Sequence, residues 1–332
     1  MKNRIYIFLG IIVLTGIFIL IIFNYRYPLV TPSIGNWSVG FTGSSEVFPT
    51  AEVNTGNIIT YKYIDSLIWE SIDYIADPFY IKEGGVFYLF VELKGEGNAD
   101  IALLTSTDGE NYRYKGIVLD EDFHLSYPQV FKHEGEFYML PEASSSKQVL
   151  LYKAEKFPYD WRISDTLIKN IGLKDPSLLI SEDLNLIVAV DDDLKQYMFT
   201  ADSLNGNWTE AKNYKQRWGN EARPGGRFFK VDNNWYLPLQ NRTLGYGTGI
   251  SLYKLEMEDN RLEFKLAEKM YLGPQLKVKW FNRGMHHLDI QNSGDEYYMV
   301  YDGDRNLNGE AEFLYKRTIK FNLIDIYNYF RD

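Results

Sequence analysis

The chain has 332 residues, a formal net charge of −10 and no cysteine. An acidic balance of this size argues against a nucleic-acid partner, which would require a basic face. The absence of cysteine excludes disulfides, cysteine-ligated metals and a cysteine nucleophile. Aromatic residues make up 16% of the chain, a content that fits β-strands and also surfaces on which sugars stack.

The first predicted element is an uncharged apolar run from Ile5 to Phe23. At about 1.5 Å per residue, a helix of this length crosses a bilayer core of about 30 Å. Lys2 and Arg4 precede the run, so the positive-inside rule predicts a cytoplasmic N-terminus and a globular part outside the membrane. A cleaved signal peptide is the alternative, but its apolar region is usually shorter and ends in a small-x-small site. We therefore favour an uncleaved, single-pass signal anchor.

A hairpin phrase then recurs five times, roughly every 50 residues, beginning at Ala76, Ser126, Lys174, Ala222 and His286. Each copy begins with a polar residue that is usually followed by Pro. A strand, a polar turn and a second strand come next, and the second strand ends on another polar residue. Hairpins repeated at this period are typical of propeller blades. We predict an all-β fold, a five-bladed β-propeller preceded by one N-terminal transmembrane helix. The predicted boundaries are 1–23 for the cytoplasmic tip and anchor, 24–35 for a tether and 36–332 for the propeller domain.

Further strands are predicted to complete the blades. Asn36–Phe41 and Asn57–Asp65 read as strands, and the first is predicted to close the ring by joining the last blade. Segments after each hairpin supply the outer strands, the last of them at Glu310–Phe321. The terminal residues 323–332 are predicted as a strand end or a short helix.

The repeat also predicts a site. A hairpin brings the start of its first strand beside the end of its second, so Asp77 should lie near Glu92, Tyr127 near Glu142 and Asp175 near Asp191. Rotation about the propeller axis then collects polar residues on one rim of the channel. Converging carboxylates of this kind indicate a sugar site or a cation site. The predicted rim comprises Asp77, Glu92, Glu142, Asp175, Asp191, Glu221, Asp289 and Asp302.

Several of these segments carry a family resemblance. LDEDFHLSYPQVF (119–131) followed by MLPE (139–142), together with EARPGGRFF (221–229) and HHLDIQ (286–291), resembles the N-terminal domain of glucosamine inositolphosphorylceramide transferases. That domain is similar to the five-bladed propellers of arabinanases, β-xylosidases and invertases. The resemblance implies carbohydrate-active chemistry or sugar binding. In the plant transferases a glycosyltransferase domain follows, so we expect from this chain only an activity of the propeller itself.

The related glycosidases use an Asp as base or nucleophile, a second Asp that tunes it, and a Glu as general acid, one carboxyl being kept protonated by its surroundings. On that resemblance Asp77 matches the first position and Asp175 the second. Glu221 is the predicted acid, with Glu142 as its rival. Tyr127 departs from the pattern, because these enzymes commonly keep an Asp before this proline. The alternative roles are turn capping for Asp77 and rim solvation for Glu221 and Glu142.

Six further residues are predicted to bind substrate. An arginine at the rim binds a carboxylate or phosphate through two hydrogen bonds, or else forms a salt bridge to the acids around it. For the histidines, hydrogen bonds to sugar hydroxyls are favoured over a zinc site. Zinc requires at least three protein ligands, and His124, His287 and Asp289 would only just supply them. No cofactor or metal is predicted, although oxygen ligands leave a structural calcium open. The six residues are His124, Tyr127, Arg223, Arg227, His287 and Asp289.

Together these features predict a membrane-anchored extracytoplasmic carbohydrate-active propeller. The favoured function is a glycosidase or transglycosylase acting on a surface or lipid-linked glycan. The alternative is a noncatalytic glycan-binding module that assists a separate glycosyltransferase, and a third is a structural propeller whose channel is plugged by side chains. The predicted partners are a carbohydrate or glycolipid, the membrane through residues 5–23 and a glycosyltransferase, with no nucleic acid.

Overall fold

The computed structural model describes residues 2–45, 57–68, 71–292, 297–306 and 308–331. The turn of the fifth predicted hairpin, residues 293–296, lies outside this range. The helices are α1 (Lys2–Arg26), α2 (Tyr61–Asp65) and α3 (Tyr315–Arg331), with a short 3-10 turn at Ser144–Ser146. The strands outside the first four blades are β1 (Val30–Pro32), β2 (Trp37–Ser44), β3 (Ile58–Thr60), β20 (Leu288–Asn292), β21 (Tyr297–Asp304) and β22 (Ala311–Phe313).

The remaining strands form the first four blades in chain order. Blade one contains β4 (Tyr74–Glu83), β5 (Val86–Lys94), β6 (Ala99–Ser106) and β7 (Arg113–Leu119), and blade two β8 (Ser126–His133), β9 (Glu136–Glu142), β10 (Gln148–Lys156) and β11 (Asp160–Lys169). Blade three contains β12 (Lys174–Ile180), β13 (Asn185–Val190), β14 (Gln196–Thr200) and β15 (Thr209–Glu210). Blade four contains β16 (Phe229–Val231), β17 (Asn234–Asn241), β18 (Gly249–Glu258) and β19 (Arg261–Leu272).

The described strands form five four-stranded antiparallel sheets and one two-stranded ribbon. The fifth sheet has the order β20-β21-β2-β3, so its outer half comes from the start of the chain. Trp37 pairs with Asp304 and Ser44 with Tyr297 along this junction. Pairing of the two ends removes the free sheet edges that an open ring would expose. The predicted five-bladed propeller, closed by the strand at Asn36–Phe41, is confirmed.

Hydrophobic cores lie between neighbouring blades. Alternate residues of a strand point to opposite faces, and each blade therefore contributes to two cores. Phe79 and Leu103 of blade one pack with Val130 and Met139 of blade two, all of them fully buried. Each such side chain contributes about 1.5–3 kcal/mol on burial. The stacked cores fix the blades around the channel and so fix the ends of the inner strands.

Two strand predictions near the chain ends are wrong. Glu310–Phe321 does not supply the outer strands of blade five, because β2 and β3 already occupy those positions. Instead Ala311–Phe313 pairs with Val30–Pro32 of the predicted tether. Asn57–Asp65 is a strand over Ile58–Thr60 alone and continues as α2. The C-terminal segment is part of a 17-residue helix.

Helix α1 is long and apolar enough to cross a membrane, judged by length and composition. Its end packs on α3, since the Tyr27 and Phe321 rings meet edge to face at 5.3 Å. Both residues share a buried cluster with Val190 and Ala222. Val190 ends β13 and Ala222 precedes β16, so both helices meet the propeller at the end of the channel where β4, β8 and β12 begin. We call this the mouth end.

Candidate functional site

A pocket of about 280 Å³ opens at the mouth end. All five blades contribute to its wall, because the start of each inner strand and the end of its neighbour meet there. Blade five, with the closing strand, supplies Trp37 and His286. The remaining lining residues are Tyr74, Ala76, Asp77, Glu92, His124, Ser126, Glu142, Lys174, Arg223 and Tyr246.

Three blades use the same backbone irregularity to position residues at this pocket. Asp77, Tyr127 and Asp175 each precede a proline and each adopts a left-handed conformation, with φ of 49°, 51° and 49°. The strand pairing skips two residues at each of these positions. A bulge of this kind redirects a side chain at about 1–3 kcal/mol of backbone strain. The repeated polar-Pro dipeptide is therefore the sequence signal for the bulge.

Carboxylates of the preceding blade hold two of these bulges in place. The Asp77 amide donates to Asp302 Oδ2 at 3.1 Å, and the Asp175 amide donates to Glu142 Oε2 at 3.0 Å. Asp302 also accepts hydrogen bonds from the amides of His286 and His287, both at 3.0 Å. Glu142 and Asp302 are thus fixed by the backbone of the ring itself.

Arg223 forms a bidentate ion pair with Asp175. Its Nε and Nη2 donate to the two oxygens of Asp175 at 2.6 and 2.8 Å, and Nη2 also reaches Glu142 at 3.4 Å. Gln240 donates to Asp175 at 2.7 Å as well. Although burial disfavours a charged carboxylate, Arg223 holds the pKa of Asp175 below its ordinary value. Asp175 is therefore ionised and fully engaged within the protein.

Asp77 and Glu142 have the opposite electrostatics. Burial, with the negative charges of Asp175 and Glu92, raises the pKa of Asp77 well above its ordinary value. Burial and the Asp175 carboxylate raise the pKa of Glu142 to about 8. The pKa of Glu142 therefore favours the neutral acid at pH 7, and the pKa of Asp77 is shifted in the same direction.

Unsatisfied polar atoms mark the floor of the pocket. Asp77 Oδ1 and both ring nitrogens of His287 are buried without a hydrogen-bond partner among the described residues. His287 Nδ1 lies 3.6 Å from Asp77 Oδ1, and His286 Nε2 lies 3.7 Å from it. Burial lowers the pKa of His287 to about 3, which leaves its ring neutral. Buried polar atoms of this kind cost free energy unless water or a ligand supplies the missing bonds.

Asp77, His286 and Asp302 place one ligand atom each within 4.8 Å of one another. This set fits calcium poorly, because calcium takes six to eight oxygen ligands and Asp302 already binds two backbone amides and His286 Nδ1. The proposed zinc ligands do not converge. His124 lies at the rim beside Glu92, at 3.2 Å, whereas Asp289 lies inside the channel against Arg227.

The walls of the pocket combine aromatic rings with charged groups. Trp37 stacks on the His286 ring at 3.9 Å, and Tyr246 meets that ring edge to face at 5.1 Å. Tyr74 donates to Glu92 at 2.9 Å. A hydrogen bond to Glu92 raises the pKa of His124. Tyr74 and Tyr246 are half-buried, so part of each ring remains available to a ligand.

Below the pocket the channel is filled. The Tyr127 ring packs edge to face on Phe79 at 4.9 Å and on His287 at 5.2 Å. Its hydroxyl accepts from the Gly226 amide at 2.6 Å and contacts Ser177 Oγ at 2.7 Å. Buried side chains of Tyr127, Phe79 and His287 thus lie beneath the pocket, which remains open above them.

The predicted site residues thus divide into separate groups. Asp77, Glu142 and Asp175 are brought together around Arg223, and His124 lies at the rim. Tyr127, Arg227, His287 and Asp289 lie deeper, with side chains at most 11% exposed.

Glu221 does not join them. It accepts hydrogen bonds from Asn241, Ser251 and Tyr253 in a separate cavity of about 660 Å³ beside α3. Asp191 caps its own loop by accepting from the amides of Asp193 and Lys195.

Sequence reasoning missed the aromatic walls and one histidine. His286 opens the fifth repeat beside His287. Its position at the start of a strand could have predicted that it lies at the mouth end. Trp37 pairs with Asp304 in the closing strand, which places it at the mouth end once the ring closes. Tyr246 comes from the loop after β17, and a loop position of this kind carries no periodic signal.

Comparison with known proteins places this geometry in a family context. The family model for the N-terminal part of glucosamine inositolphosphorylceramide transferase 1 matches residues 22–304. The transferase 1 of rice, Oryza sativa subsp. japonica, is 33% identical over 263 residues, which cover 72% of this chain and 34% of the rice protein. That of Arabidopsis thaliana is 28% identical over 315 residues, covering 86% of this chain and 40% of the plant protein. The chain thus spans about a third to two fifths of these relatives.

Solved structures share the fold. A thermostable family-43 glycoside hydrolase superposes with a TM-score of 0.52 at 14% identity, covering 72% of this chain and 92% of the hydrolase. A β-1,2-mannobiose phosphorylase from Listeria innocua superposes with a TM-score of 0.54 at 8% identity, covering 76% of this chain and 93% of the phosphorylase. At these identities the likeness establishes a glycoside-hydrolase-like propeller fold.

Proposed function

This chain belongs to the family of the glucosamine inositolphosphorylceramide transferase 1 N-terminal domain, and on that premise we propose that its pocket binds a carbohydrate without cleaving it. The observation that carries the proposal is the engagement of Asp175 and Glu142 by Arg223. This proposal adopts the alternative of the sequence analysis in place of the favoured glycosidase.

Glycoside hydrolysis needs a free carboxylate and a protonated acid on opposite sides of the scissile bond. In this pocket Asp77 and Glu142 both have a raised pKa, so both are shifted toward the protonated form that donates a proton. The ionised carboxylate, Asp175, is bound by a bidentate arginine and by Gln240. Glu221, the predicted general acid, lines the other cavity. Glu92, whose negative charge faces Asp77, accepts a hydrogen bond from Tyr74 at 2.9 Å and lies 3.2 Å from His124 Nε2. The set therefore supplies proton donors, and its charged carboxylates are each already engaged by a protein side chain.

The same groups suit recognition of sugar hydroxyls. A neutral carboxylic acid both donates and accepts a hydrogen bond, and Asp77 Oδ1 is unsatisfied among the described residues. Half-buried Tyr74 and Tyr246 offer ring surface beside these polar groups, the combination that small-molecule sites use. The volume of about 280 Å³ lies below the roughly 300–1,000 Å³ of sites for drug-sized ligands. We therefore propose that it holds one terminal sugar residue.

The family context supports a glycolipid as the source of that sugar, because the relatives carry the name glucosamine inositolphosphorylceramide transferase 1, which names a sugar and a lipid. In this proposal the propeller assists a separate glycosyltransferase. Helix α1 anchors it by a single membrane span, with the N-terminus in the cytoplasm and the propeller outside.

The test uses the full-length protein in lipid nanodiscs and a panel of methyl glycosides, with binding measured by saturation-transfer NMR. Asp77→Asn retains a neutral group of the same shape, so binding should stay within a few fold. Asp77→Leu removes the hydrogen bonds, and a loss of about 1.5–3 kcal/mol corresponds to binding weaker by tenfold or more. Asp183→Asn, at an exposed turn, is the control. Hydrolysis that Asp77→Asn abolishes would contradict the proposal and restore the glycosidase.

A further inference from the structure

Helix α3 carries an apolar stripe on the side opposite its buried face. At one edge of this stripe the Tyr327 ring meets Trp218 of the propeller edge to face at 5.5 Å. The inner face of α3 buries Thr318, Phe321, Asn322 and Ile324. The outer stripe recurs every three or four residues, as one face of a helix requires. Its members are between 41% and 81% exposed, and they are Tyr315, Ile319, Leu323, Ile326, Tyr327 and Phe330. The helix lies beyond residues 22–304, which the family model matches.

Helix α3 is fixed to the point where the apolar run of α1 ends. Asn322 Nδ2 donates to the carbonyl of Phe23, the last residue of that run, at 3.1 Å. Thr318 Oγ1 donates to the carbonyl of Tyr27 at 2.9 Å. Arg26 Nη2 pairs with Asp325 at 2.5 Å. Any membrane that α1 crosses therefore has its surface at the level of α3.

We propose that α3 lies in the bilayer interface, with the apolar stripe at the boundary between headgroups and acyl chains. This inference rests on the proposed membrane span of α1. Amphipathic helices with aromatic and aliphatic residues on one face and basic residues beside it bind lipid surfaces in this way. Three of the four basic residues of α3 are held by the protein: Arg317 donates to the carbonyls of Arg242, Thr243 and Pro28, Lys320 pairs with Asp193 at 2.9 Å, and Arg331 donates to the Gln216 carbonyl. Lys316 is exposed beside the stripe. The apolar stripe therefore carries the proposed contact, and Lys316 adds one positive charge toward anionic headgroups.

The contact would also set the orientation of the propeller. Phe321 and Ile324 pack on Val190 and Ala222 at the mouth end. Val190 pairs with Lys174, which lines the pocket. With α3 on the bilayer, the pocket lies on the membrane side of the propeller.

The natural chain has no cysteine, so single thiols report on chosen positions without background. We would attach the fluorophore NBD to Leu323→Cys on the stripe, to Ile12→Cys within α1 and to Glu134→Cys. Glu134 lies in the β8–β9 turn, at the end opposite the mouth, and its side chain is 85% exposed. Each full-length variant is reconstituted in vesicles of phosphatidylcholine and phosphatidylglycerol, and quenching by lipid-attached nitroxides and by aqueous iodide is measured.

The proposal predicts lipid quenching at positions 12 and 323 that exceeds quenching at position 134 by at least about threefold. Quenching at 12 combined with iodide access at 323 would overturn the interfacial helix and leave the membrane span intact. Shielding of 323 from both quenchers would also overturn it, because a second protein surface would then cover the stripe. Loss of lipid quenching at both 12 and 323 would remove the membrane span and this inference with it.

Discussion

Replacement of Arg223 by methionine should destabilise the propeller strongly. The substitution keeps an apolar stem of similar length but leaves the fully buried Asp175 carboxylate without its bidentate partner, with Gln240 still donating to it. Removal of one partner from a buried ion pair costs about 3–5 kcal/mol. At roughly 2.1 cal/mol/K of unfolding entropy per residue and roughly 300 ordered residues, this corresponds to a fall in Tm of about 5–8 °C. Calorimetry of the full-length protein in nanodiscs measures it.

The pH dependence of that loss identifies its cause. The folded-state pKa of Asp175 is lowered in the natural protein, so its contribution to stability is present above the unfolded pKa of about 3.9 and disappears as pH falls through the folded pKa. The deficit of Arg223→Met should therefore be full at pH 7 and should shrink below about pH 4.

Two further variants test whether the stranded Asp175 charge causes the loss of stability. Adding Asp175→Asn to Arg223→Met removes the stranded charge and should recover much of the lost stability. Arg162→Met removes an exposed arginine, whose side chain is 74% accessible beside Glu155, and should change stability by less than about 0.5 kcal/mol. A loss in Arg223→Met no larger than that in Arg162→Met would refute the account of the ion pair.

Two other predictions concern the ring around the pocket. Tyr127→Phe leaves the buried Gly226 amide without the hydroxyl that accepts from it, so thermal unfolding should show a loss of about 1–3 kcal/mol; Tyr159→Phe, at a 48% exposed ring, is the control and should be neutral. Glu142 has a folded-state pKa raised to about 8, so the folded state binds the extra proton and stability should fall as pH rises from about 4.5 to about 8. Glu142→Gln should abolish that fall, and an unchanged pH profile of unfolding would contradict the neutral acid.

The sequence was sufficient to predict the ring because its signal is periodic. Five hairpins at one spacing specify five blades, and the early strand near Trp37 had no nearer partner than the last blade. The polar-Pro dipeptides at Asp77 and Asp175 also marked residues that the structure brings to the mouth end. Periodic local patterns of this kind survive folding because each blade buries the same faces.

The remainder depended on contacts between distant segments. In blade four the inner strand begins only at Phe229, so Arg223 lies in the segment before it. The Arg223 carbonyl accepts a hydrogen bond from the Gln240 amide at 2.8 Å, which fixes this segment beside β17. Arg223 therefore occupies the ring position, and Glu221 turns toward Tyr253 of an outer strand. Helix α3 was missed for a similar reason. Residues 315–321 were predicted as part of a strand and residues 323–332 as a strand end or a short helix, because the groups that bury one face of α3 lie far away in the sequence.

The measurement that tests the central claim most directly is turnover of the bound sugar. We would incubate the full-length protein with the glycoside that binds best and follow the anomeric proton signals by NMR over hours, beside Asp77→Asn and a protein-free sample. Our account predicts saturation transfer to the sugar and the same slow rate of cleavage in all three samples. Release of free sugar by the natural protein, and not by Asp77→Asn, would contradict it.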